Sequence, residues 1–387
     1  MEFLMTPEHR AFRDEVRTFL ADELTPEMRQ GAAATSGVFA EPAVALPWQA
    51  ALEAKGWLVY FWPKQHGGPG WDAVQRWIFE SECAHAGAPV LPVMGLKLLG
   101  PVVYTFGTPE QRERFLPALR SGEHVWAQGF SEPGSGSDLA SLRTRARREG
   151  DVYVVDGQKI WTTQAQFANW LFALVRTDPE TKPQLGISFL LIDMTSPGVT
   201  VRPIISASGD HELNEVFLDE VRVPVENRIG EEGAGWSIAK FLLENERGCT
   251  GYAPQLLADL ARLVETGRLS PSQLDRATVL RLEAEALEMT ELRTLLEIEA
   301  GDPPHPRSLI VKLVASEIRQ GIERLALDSC GTPALLAKET ASMLQGEAAA
   351  LCEGAGLRYL NSRAWSIFGG TSEIQLSIIA KVAVGAQ

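Results

Sequence analysis

Apolar positions in the first third of the chain recur at helical spacing. Thr6-Pro7-Glu8 offers a cap followed by proline at the first helical position, and Leu4, Phe12, Val16 and Leu20 then supply one apolar face. A second start of the same kind, Thr108-Pro109-Glu110, leads into QRERFLPALRSGE, so residues 1 to about 120 read as mainly α. Between these helices WPKQHGGPGWD has no regular period and reads as a loop. Near residue 125 the period changes. DVYVV, KIWTT, WLFALVRT and ISFLLIDM are short runs rich in β-branched and aromatic residues, and Asp156-Gly157 between the first two has the chemistry of a hairpin turn. From Gly235 the helical period returns. QLDRATVLRLEAEALEMTELRTLLEIEAG and RSLIVKLVASEIRQGIERLALDSCG are long enough for antiparallel bundle helices, and Ser372 with Gln375 has capping-box spacing at the head of a last helix. The pattern predicts a helical unit over 1–122, a β unit over 123–232 and a helical unit over 233–387. There is no internal repeat and no glycine fingerprint of a dinucleotide-binding turn.

At 387 residues the chain exceeds what one hydrophobic core usually serves, which agrees with several packed units. Its 45% hydrophobic and 22% charged residues are ordinary globular composition. A net charge of -14 repels phosphate backbones and anionic membrane surfaces, so nucleic acid is not an expected partner, and an anionic ligand needs locally placed arginines or helix N-termini. The N-terminus mixes acidic and basic residues and lacks the order of a signal peptide, and no apolar run approaches ~20 residues, so no membrane span and a cytoplasmic location are expected. Cys83, Cys249, Cys330 and Cys352 are far apart without a CxxC and read as buried free thiols. The six histidines show no metal-ligand spacing, so no metal is expected.

Candidate chemistry lies in two segments of the β unit. Gln128-Gly129-Phe130-Ser131-Glu132-Pro133-Gly134-Ser135-Gly136-Ser137-Asp138 joins glycines that admit close backbone approach to hydroxyls and amides that can bond a cofactor edge or phosphates. Taken alone it also reads as a plain surface turn. Lys159-Ile160-Trp161-Thr162-Thr163 alternates as a strand would, placing Trp161 and Thr163 on one side. A ring surface beside a hydroxyl suits a flavin, while Trp161 by itself reads as core packing.

GFSEPGSGSDLA, DGQKIWTT, ELNEVFLDEVRVPVENRIGEEGAGW and IFGGTSEIQ together resemble, in the same order, the signatures of the acyl-CoA dehydrogenases, and the resemblance covers nearly the whole chain. It implies a mainly α fold with a central β domain: a helical N-terminal domain, a middle β-barrel-like domain and a C-terminal four-helix bundle. It implies FAD as cofactor, with Gln128, Phe130, Ser131, Trp161 and Thr163 lining the isoalloxazine ring. Ser137 would lie near flavin and CoA, and Thr371 and Glu373 would reach another part of the FAD. The helix starting near Thr371 also offers unpaired N–H groups to a phosphate. The implied activity is α,β-dehydrogenation of an acyl-CoA to the trans-2-enoyl-CoA, as in β-oxidation of fatty acids or steroid side chains, with an electron-transfer flavoprotein as acceptor.

That reaction needs a side-chain base for the Cα proton, because the cofactor takes the hydride. Many members carry a glutamate ahead of the Gly-Thr of the last motif, where this chain has Gly369, followed by Gly370. Others carry it before an arginine on the first helix of the C-terminal domain, which Glu246-Arg247 matches. Glu246 follows Leu242 by four and Leu243 by three, so it shares their apolar face, and desolvation raises a carboxyl pKa toward that of a useful base. In a random helix such a glutamate would read as solvated or ion-paired. Arg247 reads equally as a CoA contact or an interdomain salt bridge. At Gly369 the backbone N–H stays available to the thioester oxygen, and the missing side chain leaves space for a bulky acyl group.

Two segments that reach the neighbouring subunit's FAD in homotetrameric members, Arg-x-x-Phe-Gly and Gln-x-x-Gly-Gly, are missing: the corresponding stretches read LVETGRLSPSQLDRATV and LQGEAAALCEGAG. By resemblance to bacterial members built from two unlike chains, an α2β2 tetramer with a second dehydrogenase-like subunit leads over a homo-oligomer. Two rival readings remain: a flavin-dependent oxidase or monooxygenase on the same fold, and a non-catalytic partner subunit.

Overall fold

A computed structural model of the chain describes residues 5–248, 251–301, 307–331, 352 and 354–383, without the side chains of 244–248, 307, 308, 382 and 383. Leu4 therefore lies outside the described residues. The first helix, α1 (Pro7–Glu23), starts as its sequence directs: Thr6 Oγ1 accepts the His9 N–H, and the His9 ring closes the capping box. It buries Phe12, Val16, Phe19 and Leu20. There follow α2 (Pro26–Ala34), α3 (Pro42–Lys55) and α4 (Ala73–Ala86). A π-helical turn (Met94–Leu99) runs into α5 (Gly100–Phe106), and α6 (Pro109–Ser121) opens on a Thr108/Gln111 capping box.

The central layer is an eight-stranded sheet of β1 (Trp126–Gly129), β2 (Arg145–Glu149), β3 (Val152–Lys159), β4 (Trp170–Arg176), β5 (Ile187–Asp193), β6 (Val199–Ile204), β7 (Leu213–Pro224) and β8 (Arg228–Ile229). The path runs β6-β7-β3-β2-β4-β5-β8, with β1 parallel to β4 at its side. The continuous apolar runs of β4 and β5 have a simple cause. Leu171, Ala173, Val175, Leu190 and Ile192 face the core inside the sheet, while Phe172, Leu174, Phe189 and Leu191 face the core shared with the N-terminal helices and the first helix after the sheet. Asp156-Gly157 is not the hairpin turn its chemistry predicts. It lies within β3, opposite an extra residue in β7, where Glu220 adopts φ +50° and Asp156 Oδ1 accepts the Glu220 N–H at 2.9 Å. The bulge uses the carboxylate that a turn would have used.

After the sheet come α7 (Gly235–Gly248), α8 (Ala253–Glu265), α9 (Pro271–Glu299), α10 (Arg307–Cys330), α11 (Ala355–Ser362) and α12 (Ser372–Ala383). The architecture is mainly helical with a central sheet domain, as expected. α7 packs on β5, the π-turn and α5, while α8, α9 and α10 share a separate core. The cysteine reading needs correction, because a Cys330–Cys352 disulfide joins the end of α10 to the approach of α11. Sequence distance carries no information about that proximity. Cys83 is a free thiol, and Cys249 lies outside the described residues. The cap of α12 is Thr371, not Ser372: its hydroxyl accepts the Ile374 N–H, while Gln375 turns away to the Gly369 carbonyl. Among the described residues no helix is long and apolar enough to cross a membrane.

Candidate active site

The two segments singled out in the β domain meet in space. β1 ends at Gly129, and the Ile160 N–H donates to the Ser131 carbonyl at 3.0 Å, so the glycine-rich loop lies beside the residues that leave β3. That exit is not the strand its alternation predicts. β3 stops at Lys159, after which Trp161 and Gln164 take left-handed φ values of +59° and +54°. For a residue with a β-carbon this conformation costs about 1–2 kcal/mol and usually marks function. Trp161 is 56% exposed, so the core-packing account of this ring is wrong. Hydrogen bonds from Thr162 N–H to the Asn214 carbonyl and from Gln164 N–H to the Glu212 carbonyl hold the segment in this shape.

Beneath it lies a pair that the motif reading missed. The Lys159 side chain is 0% exposed, and its Nζ donates to Glu132 Oε1 at 2.8 Å, to the Leu174 carbonyl at 2.8 Å and to the Phe130 carbonyl at 3.4 Å. Glu132 also accepts the N–H groups of Arg143 and Thr144. Burial pulls the Lys159 ammonium down to about 8 although Glu132 pulls it up, and against burial Lys159 holds the Glu132 carboxyl below its usual range. Lys159 precedes Trp161 by two residues and Glu132 follows Ser131, so one buried pair fixes both strips of the platform.

The platform sits where three parts of the chain join. Glu212 accepts from the Val38 N–H at 2.8 Å and from Asn361 Nδ2 at 3.0 Å, linking the N-terminal helices and α11 to the loop before β7. Past α11, Lys312 Nζ donates to the carbonyls of Trp365 and Gly370, and Gln375 Nε2 to that of Gly369. Gly369 and Gly370 are both left-handed, at φ +62° and +91°. With their carbonyls taken, their N–H groups have no acceptor among the described residues. Thr371 and Glu373 lie at the N-terminus of α12, and among the described residues the hydrogen bonds of the Gly369–Glu373 stretch run to α10 and α12.

The remaining candidates lie on helices. Glu246 and Arg247 lie near the C-terminal end of α7, with their side chains outside the described residues; Leu242, one turn earlier, is fully buried. The chain then enters α8, whose N-cap Tyr252 makes no side-chain cap bond. Glu291 of α9 serves instead, taking the N–H of Tyr252 at 2.9 Å and that of Ala253 at 3.2 Å. Burial pushes its carboxyl up to about 8, with Glu80 and Glu288 adding to the rise and the two N–H bonds opposing it. Glu80, which accepts the Tyr60 hydroxyl, packs so closely on Gly251 that a β-carbon there would meet its Oε2 at 2.2 Å.

A flavin ring suits this platform: an exposed tryptophan on a strained backbone, half-buried Gln128, Ser131 and Thr163, and a loop in which β-carbons at Gly134 and Gly136 would touch nothing within 4 Å. Ser137 is exposed on that loop. Phe130 is the exception among the predicted ring contacts. Its side chain is buried edge-on against Phe172 and Phe189, which leaves only its backbone for a ligand.

Residues 6–123, 127–221 and 233–384 match, respectively, the N-terminal, middle and C-terminal domains of acyl-CoA dehydrogenase. The chain is 36% identical to acyl-CoA dehydrogenase IpdE1 of Mycobacterium tuberculosis over 385 residues, 97% of each chain. It superposes with a TM-score of 0.84, at 32% identity and full coverage of both chains, on a structure of the ChsE4-ChsE5 complex from Mycobacterium tuberculosis. A structure described as the Tcur3481-Tcur3483 steroid ACAD gives a TM-score of 0.84 at 27% identity, again over 100% of each chain.

Proposed function

The chain belongs to the acyl-CoA dehydrogenase family, a family of flavoproteins, and on that footing we propose that it oxidises an acyl-CoA thioester to the trans-2-enoyl-CoA with Glu246 as base and FAD as cofactor. FAD, when bound, supplies the acceptor for the hydride leaving Cβ. The chain's residues do the rest. Trp161, Thr163, Gln128, Ser131 and the Phe130 backbone hold the ring, with Ser137 near both flavin and CoA. Glu246 takes the Cα proton, and Arg247 holds the CoA. The Gly369 N–H faces the charge that develops on the thioester oxygen, where fixed donors stabilise it most, and Gly370 lies beside it against the substrate. Thr371 and Glu373 reach another part of the FAD, and the N–H groups of the helix that starts there serve a phosphate.

The observation that carries this reading is the exposed Trp161 on its strained turn, joined by Ile160 N–H to the glycine-rich loop. The left-handed Gly369 supports a base elsewhere, since a glutamate there would carry the cost of φ +62°. For assembly, the missing FAD-reaching segments, the neighbour described as the ChsE4-ChsE5 complex and the one named Tcur3481-Tcur3483 support an α2β2 enzyme with a second dehydrogenase-like chain. An electron-transfer flavoprotein is the acceptor, and a bulky or steroid-derived acyl group fits the space at Gly369.

The test is anaerobic flavin bleaching by a panel of linear, branched and ring-bearing CoA thioesters, with and without a co-purifying chain. Glu246→Gln should retain flavin and slow bleaching by on the order of 10² to 10⁴-fold. Full activity of that variant in the assembled enzyme would instead point to a non-catalytic partner subunit.

A further inference from the structure

Met94–Leu99 is π-helical, and the cause is Pro101. A proline has no N–H to donate, and its ring collides with the carbonyl four residues earlier, here that of Lys97. The turn widens in response. Gly100 N–H goes to the Gly95 carbonyl, one residue further back than in an α-helix, and Trp62 Nε1 takes the freed Leu96 carbonyl at 2.9 Å. Such turns gather at functional positions.

The widened turn presents Lys97, half-buried, to the aromatic segment before α4. Its Nζ lies 5.9 Å from the centre of the Tyr60 ring and 5.5 Å from that of Phe61. Among the described residues it makes no hydrogen bond and no ion pair, although the chain has a net charge of -14. A half-buried ammonium ordinarily finds a carboxylate or carbonyl, and ring faces alone replace little of its lost hydration. The surroundings place it near the proposed chemistry. The π-turn packs on α7, sharing a core with Ile238, Ala239 and Leu242, and Tyr60 bonds Glu80, which lies against Gly251, five residues beyond Glu246.

We propose that Lys97 determines substrate specificity: its ammonium binds an acceptor oxygen, carbonyl or carboxylate, carried by the acyl group at a distance from the thioester. This rests on the acyl-CoA dehydrogenase reading. The proposed ring side of the site offers ring contacts, and Lys97 adds a cation from the N-terminal domain on the side of α7.

The experiment compares wild type, Lys97→Met, Lys97→Gln and Lys97→Arg holoenzyme, in whatever assembly purifies. Each is bleached anaerobically by CoA thioesters of matched length bearing an alkyl, an oxo-substituted or a carboxy-terminated acyl group. Lys97→Met should lower kcat/KM for the oxygen-bearing substrates by about 10- to 100-fold, the worth of a hydrogen bond to a charged group, and leave the alkyl substrate within about twofold. Lys97→Arg should recover part of the loss. A greater loss for the carboxylate identifies an anionic substituent, and equal losses identify a neutral carbonyl. Equal loss on all three substrates, or none, in whichever of Lys97→Met and Lys97→Gln keeps its flavin, overturns the assignment. If no thioester bleaches wild type, the dehydrogenase reading itself falls and takes this inference with it; wild-type bleaching with an indifferent Lys97 removes the inference alone.

Discussion

Two parts of the molecule that carry candidate site residues are held by opposite electrostatic means. On the sheet side a fully buried ion pair, Lys159–Glu132, supports an exposed ring on a strained turn. On the helical side a carboxyl whose pKa is raised to about 8 caps α8, next to the end of the helix that carries Glu246. A buried pair is costly to break from one end, whereas a buried carboxyl without a cationic partner tolerates replacement by its neutral isostere and responds to pH. The sheet side, proposed to face the flavin, should therefore be rigid and brittle, and the helical side, proposed to carry the base, adjustable.

The sharpest way to break this contrast is Lys159→Met, which leaves Glu132 charged and buried. It should cost about 3–5 kcal/mol in denaturant unfolding and release the flavin. A variant with wild-type stability and full flavin content would show that the pair is not the support. A smaller effect is expected from Glu291→Gln, and it should depend on pH. The folded carboxyl sits near 8 against an ordinary 4.5, so the stability conferred by its neutral form is complete below about 4.5 and is lost as pH rises through about 8. Glutamine cannot ionise. The urea midpoint of the variant should gain on wild type from pH 5 to pH 9, and parallel curves would mean that Glu291 does not titrate there.

The smallest effect belongs to Trp161→Gly. Relief of the left-handed turn, less the added entropy of glycine, should stabilise the flavin-free protein by about 0.5–1 kcal/mol. Flavin affinity should fall about tenfold with loss of the ring contact. Destabilisation of the flavin-free protein would mean that Trp161 packs rather than waits for a ring.

What the sequence displayed was whatever chemistry lay within a few neighbouring residues. Thr6 and Thr108 announced their helices because a cap needs only the next turn, and β4 and β5 announced themselves through unbroken apolar runs. Gln128 to Ser137 and Trp161 to Thr163 stood out as contiguous motifs for the same reason. Long-range partners did not show. Lys159 and Glu132 are 27 residues apart, Glu291 caps a helix that begins 38 residues before it, and Cys330 meets Cys352 across 22. Asp156-Gly157 misled because turn and bulge use the same residue types, and the extra residue that decides between them lies in β7. Lys97 did leave a signal, Pro101 four residues later, but without the surrounding fold a proline there reads only as a helix breaker.

The most direct test of the account is a crystal structure of the flavin-loaded assembly with a non-oxidisable acyl-CoA analogue. A Glu246 carboxylate oxygen should lie about 3–3.5 Å from Cα on one face of the ligand, with the ring against Trp161 on the other. A Glu246 side chain turned to bulk water, or a ring bound away from Trp161, would contradict it.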